Sequence, residues 1–220
     1  TNPRETPLLR MNPFAFPENI HILEHIDRLV EIFNACWPMY AAMPAVLKDA
    51  IERSYQKVGW DLRNSESEKG VFPTFFDLLD ILPGVIEESH YSKDTQSDYV
   101  GALCTRVKSL TNGIYGSVLC AEDALIDEAL FDCNVIVDLS RVGSMETKSL
   151  LMGILVMKLQ EYRMCSSGMN SRLRHVTVLE EAHNLLRKTS AEQSQEGANL
   201  QGKSVEMLAN AIAEMRTYGE

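Results

Sequence analysis

The spacing of apolar residues changes period at Gly113, and that change limits the folds open to this chain more than any other feature. Between Ile20 and about Tyr55 the spacing is helical: Ile22, Ile26, Leu29, Val30, Phe33 and Trp37 share one face, and Val46, Leu47, Ile51 and Tyr55 share another after the break at Met43-Pro44. A polar loop over 63–70 separates these from a short helix predicted over Phe75–Leu82, opened by Pro73-Thr74, and a further helix runs from about Asp98 to Leu110 before Asn112-Gly113. Beyond Gly113 short β-rich runs alternate with longer helical ones. The strands are Ser117–Cys120, Cys133–Leu139 and His175–Leu179; the helices are Glu146–Met164 and Ser204–Tyr218. Continuous apolar strands separated by helices predict an α/β domain with a parallel sheet covered on both faces. The chain then divides into a connector over 1–14, where Pro3, Pro7 and Pro13 disfavour a helix, a helical subdomain over 15–112, and part of an α/β core over 113–220.

Composition narrows the function classes. With 45% hydrophobic and 24% charged residues the chain is an ordinary globular one. A net charge of −10, shared by both halves, argues against a uniformly basic nucleic-acid-binding surface, so any DNA contact must come from a local patch. No apolar run is long enough for a membrane span, and the first residues resemble no secretory leader. The five cysteines are odd in number and widely spaced, which predicts reduced core thiols in a cytoplasmic protein. The histidines show no metal-ligand spacing.

The run Val176-Thr177-Val178-Leu179-Glu180-Glu181 has the form of a Walker B site. An apolar strand ending in two acids can place Glu180 on Mg²⁺ or its water and Glu181 on the water that attacks ATP. Asp138, at the end of another apolar run, can face the same crevice or cap the next turn. Residues Gly197 to Ser204 match the P-loop expression G-x-x-x-x-G-K-[ST], but the polar residues before them cannot form a buried strand, and the match follows the Walker B run instead of preceding it. It reads as a surface loop. Arg216, near the end of the last helix, is either solvated or an arginine finger.

In order along the chain, Asn12-Pro13-Phe14, His25-Ile26-Asp27, Gly59-Trp60-Asp61, Pro73-Thr74, Val137-Asp138-Leu139-Ser140, Glu180-Glu181-Ala182-His183 and Ala213 to Glu220 resemble the HerA-type ATPases, hexameric RecA-like motors of the HerA/FtsK group. The resemblance implies a RecA-like P-loop NTPase sheet, ATP as substrate with Mg²⁺, a homo-hexameric ring, DNA as the translocated partner, and a nuclease as a possible second partner. It gives Glu180 the metal-side acid, Glu181 the catalytic glutamate, and Arg216 the finger that completes a neighbour's site. It also implies that the family's phosphate loop lies upstream of residues like Thr1 and its sensor strand downstream of Glu220. Two other functions fit the same residues: a conjugation or secretion ATPase that moves protein, and a non-catalytic oligomerisation module.

Overall fold

The computed structural model describes residues 8–121, 124–180, 182, 206 and 209–220. Helix α1 (Ile22–Cys36) starts where the His21 side chain accepts from the Leu23 backbone N–H at 3.2 Å, and it buries Ile22, Ile26, Leu29, Val30 and Phe33. It stops at Trp37, which the following Pro38 holds in the extended region. Helix α2 (Met43–Lys57) carries Pro44 in its first turn, where the missing N–H costs nothing. A short antiparallel pair follows, β1 (Trp60–Asp61) and β2 (Glu66–Ser67), with Trp60 opposite Ser67.

Helix α3 (Phe75–Glu88) opens on a reciprocal cap. Thr74 accepts from the Phe76 N–H through its hydroxyl at 3.2 Å, and its own N–H donates to Asp77 at 2.9 Å. The helix runs six residues past its expected end, through Pro83 and Gly84. Burial of Val85 and Ile86, worth roughly 1.5–3 kcal/mol each, offsets the interior proline's cost of about 3 kcal/mol. Next come α4 (Lys93–Tyr99), a π-helical turn (Val100–Cys104) and α5 (Thr105–Thr111) without a break, then α6 (Gly113–Leu119) and α7 (Asp127–Phe131).

Helix α8 (Met145–Ser166) is capped by Ser144 and buried on nearly every face of its second half, where Lys158, Glu161 and Arg163 lie among Ile154, Val156, Met157 and Leu159. It packs along α1. Among the described residues no helix is long and apolar enough to cross a membrane, and in α8 those charges are the reason.

The core is aromatic and is built partly by chain without regular structure. Phe14 sits edge-on to Phe75 at 5.0 Å, Phe33 stacks on Trp37 at 4.5 Å, and Phe16 meets Trp60 and Phe72 at 5.2 Å each. The proline-rich stretch therefore does more than connect. Asn12 donates to the Pro73 carbonyl at 2.8 Å and accepts from the Phe14 N–H at 3.0 Å, which fixes the turn that delivers Phe14 inward.

The expected α/β fold with a RecA-like parallel sheet is not formed. The chain is mostly helical, and the only sheet among the described residues is the two-stranded antiparallel pair β1–β2. Ser117–Cys120 belongs to α6 and its end: Asn112 and Gly116 carbonyls accept from the N–H groups of Gly116 and Cys120, so the local helical bonds win over β propensity. Residues 133–139 and 175–179 form no regular secondary structure and share no backbone hydrogen bond, and Ile136 is 94% and Val178 79% exposed. A strand needs a ladder partner, and apolar alternation alone does not supply one.

Candidate functional site

The strongest side-chain constellation forms where the last helical stretch ends. Residues 209–215 are helical and pass into a 3₁₀ turn, Arg216–Tyr218. The Glu220 N–H bonds to the Met215 carbonyl and the Gly219 N–H to the Arg216 carbonyl, both at 3.3 Å, a Schellman stop with Gly219 in the left-handed region at φ 86°. This turn is fastened to the run after α8. Ser171 N–H donates to the Thr217 carbonyl at 3.2 Å, and the N–H groups of Arg174 and His175 both donate to the Gly219 carbonyl, at 2.9 and 3.4 Å.

Glu220 closes the junction. Its carboxylate, 5% exposed, accepts from Arg163 Nε at 2.8 Å, from His175 Nδ1 at 2.8 Å and from the Thr177 hydroxyl. Burial pushes the Glu220 carboxyl up, but the bonds from Thr177, His175 and Arg163 outweigh it and hold the group below its usual range. Arg163 also donates to Asp132 and to the Phe131 carbonyl, each at 2.6 Å, so a guanidinium that is nearly fully buried has every edge engaged. Tyr162 donates to the other Asp132 oxygen at 2.6 Å; its hydroxyl is pushed up to about 12 by burial and by Asp132.

A second buried cluster lies between α1 and α8. His25 Nδ1 stands 2.9 Å from Glu161, both fully buried, and Arg28 donates to the same carboxylate at 3.2 Å. Burial again raises the Glu161 carboxyl, and the adjoining His25 and Arg28, both hydrogen-bonded to it, lower it, with a net shift downward. His25 Nε2 has no partner among the described residues. This cluster is distant in sequence from the expected site and welds α1 to α8.

Of the expected site residues, Arg216 is exposed on the turn, and Glu180 is exposed three residues beyond Thr177. The structure thus joins the segments that carry Arg216 and Glu180 through Glu220. Asp138 lies on a separate exposed turn, where it accepts from the Ser140 N–H at 2.8 Å; the Ser140 side chain first, and that backbone bond second, hold its carboxyl below the usual range. Glu181 and the P-loop-like stretch 197–204 lie outside the described residues. Among the described residues no group of three His, Cys, Asp or Glu could hold a metal ion. Glu180 is exposed, and a single exposed carboxylate is what a Mg²⁺ arriving with its waters and phosphates would need from protein.

All five cysteines are free; Cys133 is exposed and the other four are half-buried. Burial pushes Cys36 up to about 12 and Cys120 up to about 11, so neither is a reactive thiolate. Sequence reasoning missed Arg163, His175, Thr177 and Glu220 as a unit. One signal was present: charges at 158, 161 and 163 inside an otherwise apolar helix can only be buried if partners meet them. No protein-family model, no curated protein and no solved structure matches the chain.

Proposed function

We propose that this chain carries part of the hydrolytic machinery of an ATP-driven DNA translocase of the HerA type, acting in the cytoplasm as a homo-oligomeric ring. One observation supports the reading: the run 171–177, which leads to Glu180, is fastened to the turn 216–220 by three backbone hydrogen bonds from Ser171, Arg174 and His175 and by the Glu220 carboxylate, which accepts from His175 and Thr177, with Arg216 and Glu180 left exposed. An arginine whose turn is pinned while its side chain reaches solvent suits a finger offered to a neighbour's nucleotide. Arg172 and Arg174 are exposed on the strip that holds this turn, which supplies a local basic patch on an acidic chain.

In this reading Glu180 holds Mg²⁺, which when bound neutralises phosphate charge, and Glu181 orients and polarises the attacking water. Glu181→Gln is the test in the full-length protein. It should keep nucleotide binding and lower turnover on the order of 10²-fold or more. Hydrolysis at the parental rate removes the assignment.

A second reading, a non-catalytic oligomerisation module, is favoured by the exposed apolar side chains Ile136, Leu173, Val176 and Val178, of which Ile136 is almost wholly in water. It predicts assembly without hydrolysis, and the Glu181→Gln comparison separates the two.

A further inference from the structure

The Glu220 carboxylate stands between the turn that bears Arg216 and the run that leads to Glu180, and three donors from two different parts of the chain converge on it. We infer that Glu220 is the positioning residue for Arg216: gripped by Arg163, His175 and Thr177, it holds the 216–220 turn in one place and so fixes where the guanidinium is presented to a neighbouring subunit's phosphates. The inference rests on the finger reading of Arg216 and deepens it.

Three features support the role. Within 216–220, Glu220 supplies the charged anchor among the bonds described; the other ties are backbone hydrogen bonds to the 171–175 strip and the Thr217 hydroxyl on the Glu214 carbonyl, while the helix before the turn is held by buried Met215 and by Gln160, which donates to Glu214 at 3.5 Å. Gly219 lies so close to that strip that a Cβ there would stand 2.5 Å from the Arg172 carbonyl oxygen, and its φ of 86° is one that other residues rarely adopt, so only glycine lets the turn approach the strip this closely. Arg163 is itself immobilised by Asp132 and the Phe131 carbonyl, so the anchor does not drift with a flexible side chain. A finger must meet charge that develops only in the transition state. Its placement therefore enters turnover and not nucleotide affinity, and a misplacement of about 1 Å can cost on the order of 100-fold.

The test is a double-variant comparison of ATP hydrolysis in the full-length, assembled protein. Glu220→Gln should lower kcat about 10-fold to 100-fold with KM for ATP unchanged. In an Arg216→Ala background, measured on its slow residual hydrolysis, the same change should alter kcat by less than about twofold, because a residue that acts through Arg216 has nothing left to position. Equal losses in the two backgrounds, or no loss in the native one, overturn the inference while leaving the finger intact. If Arg216→Lys and Arg216→Ala are both as active as the native protein, the finger reading falls, and the positioning role with it. Should Glu220→Gln fail to fold, Thr177→Val, which deletes one donor at constant shape, takes its place with the same pattern and a smaller loss expected.

Discussion

Arg163 Nε donates to Glu220 Oε2 at 2.8 Å across 57 residues of chain, and both side chains are at most 5% exposed. The pair ties the end of the long helix α8 to the final turn. Removing Arg163 leaves Glu220 buried with only the His175 and Thr177 donors. Arg163→Ala, which also takes a donor from Asp132 and from the Phe131 carbonyl, is expected to cost about 3 kcal/mol, read as a fall in the urea midpoint at unchanged slope. A loss under about 1 kcal/mol means that the cluster is solvated in solution.

Acid should weaken the fold through two carboxylates. Glu161 and Glu220 are both held below their ordinary value in the folded chain, so each contributes stability that is complete above the unfolded-state range near 4.5 and lost as pH falls through the lower folded value. The unfolding midpoint should therefore drop as pH is lowered below about 4.5, and Glu161→Gln should flatten that dependence. An equally steep dependence in the variant assigns the acid sensitivity elsewhere.

Two glycines should respond in opposite directions to alanine. At Gly219 the new Cβ meets the Arg172 carbonyl oxygen at 2.5 Å and the backbone is left-handed, so Gly219→Ala should destabilise by roughly 1–3 kcal/mol. At Gly84, within α3, a Cβ meets nothing within 4 Å, and Gly84→Ala should stabilise by about 0.4–1 kcal/mol. Thermal melts of the two variants check both signs at once.

The stretch Gly197 to Ser204 matches a phosphate-binding expression by letters alone. Lys203→Ala should leave the affinity of the protein for ATP unchanged in calorimetry. A loss of affinity of tenfold or more, about 1.4 kcal/mol, would show that this loop contacts the phosphates after all.

Much of the helical part was legible in the chain. Ile22, Ile26, Leu29 and Phe33, the Pro44 start and the Thr74 cap each carry a local signal, and α8 departs from its expected span by one residue at its start and two at its end. The β part was not. Val135, Val137, Val176 and Val178 have strand propensity, but propensity only says that a residue suits a pleated surface; whether a ladder forms depends on partners far away in sequence, and here none joins the two runs. The Glu220 junction was hidden for a related reason. Its members are spread from Arg163 to Glu220, and no spacing rule links a helix interior to the residue beyond a glycine stop. The resemblance of its segment to a motif singles out Arg216, whereas the bonds that hold its turn are visible only in three dimensions.

If Arg216 acts across a subunit boundary, mixing two defective proteins measures it most directly. Arg216→Ala and Glu181→Gln should each assemble, bind ATP and fail to hydrolyse it. Mixed, they place intact Glu181 faces opposite intact Arg216 faces at some boundaries, and partial ATPase activity should return, with assembly confirmed by sedimentation. A mixture that assembles yet stays inactive, or an Arg216→Ala protein that hydrolyses ATP at the native rate, contradicts the account.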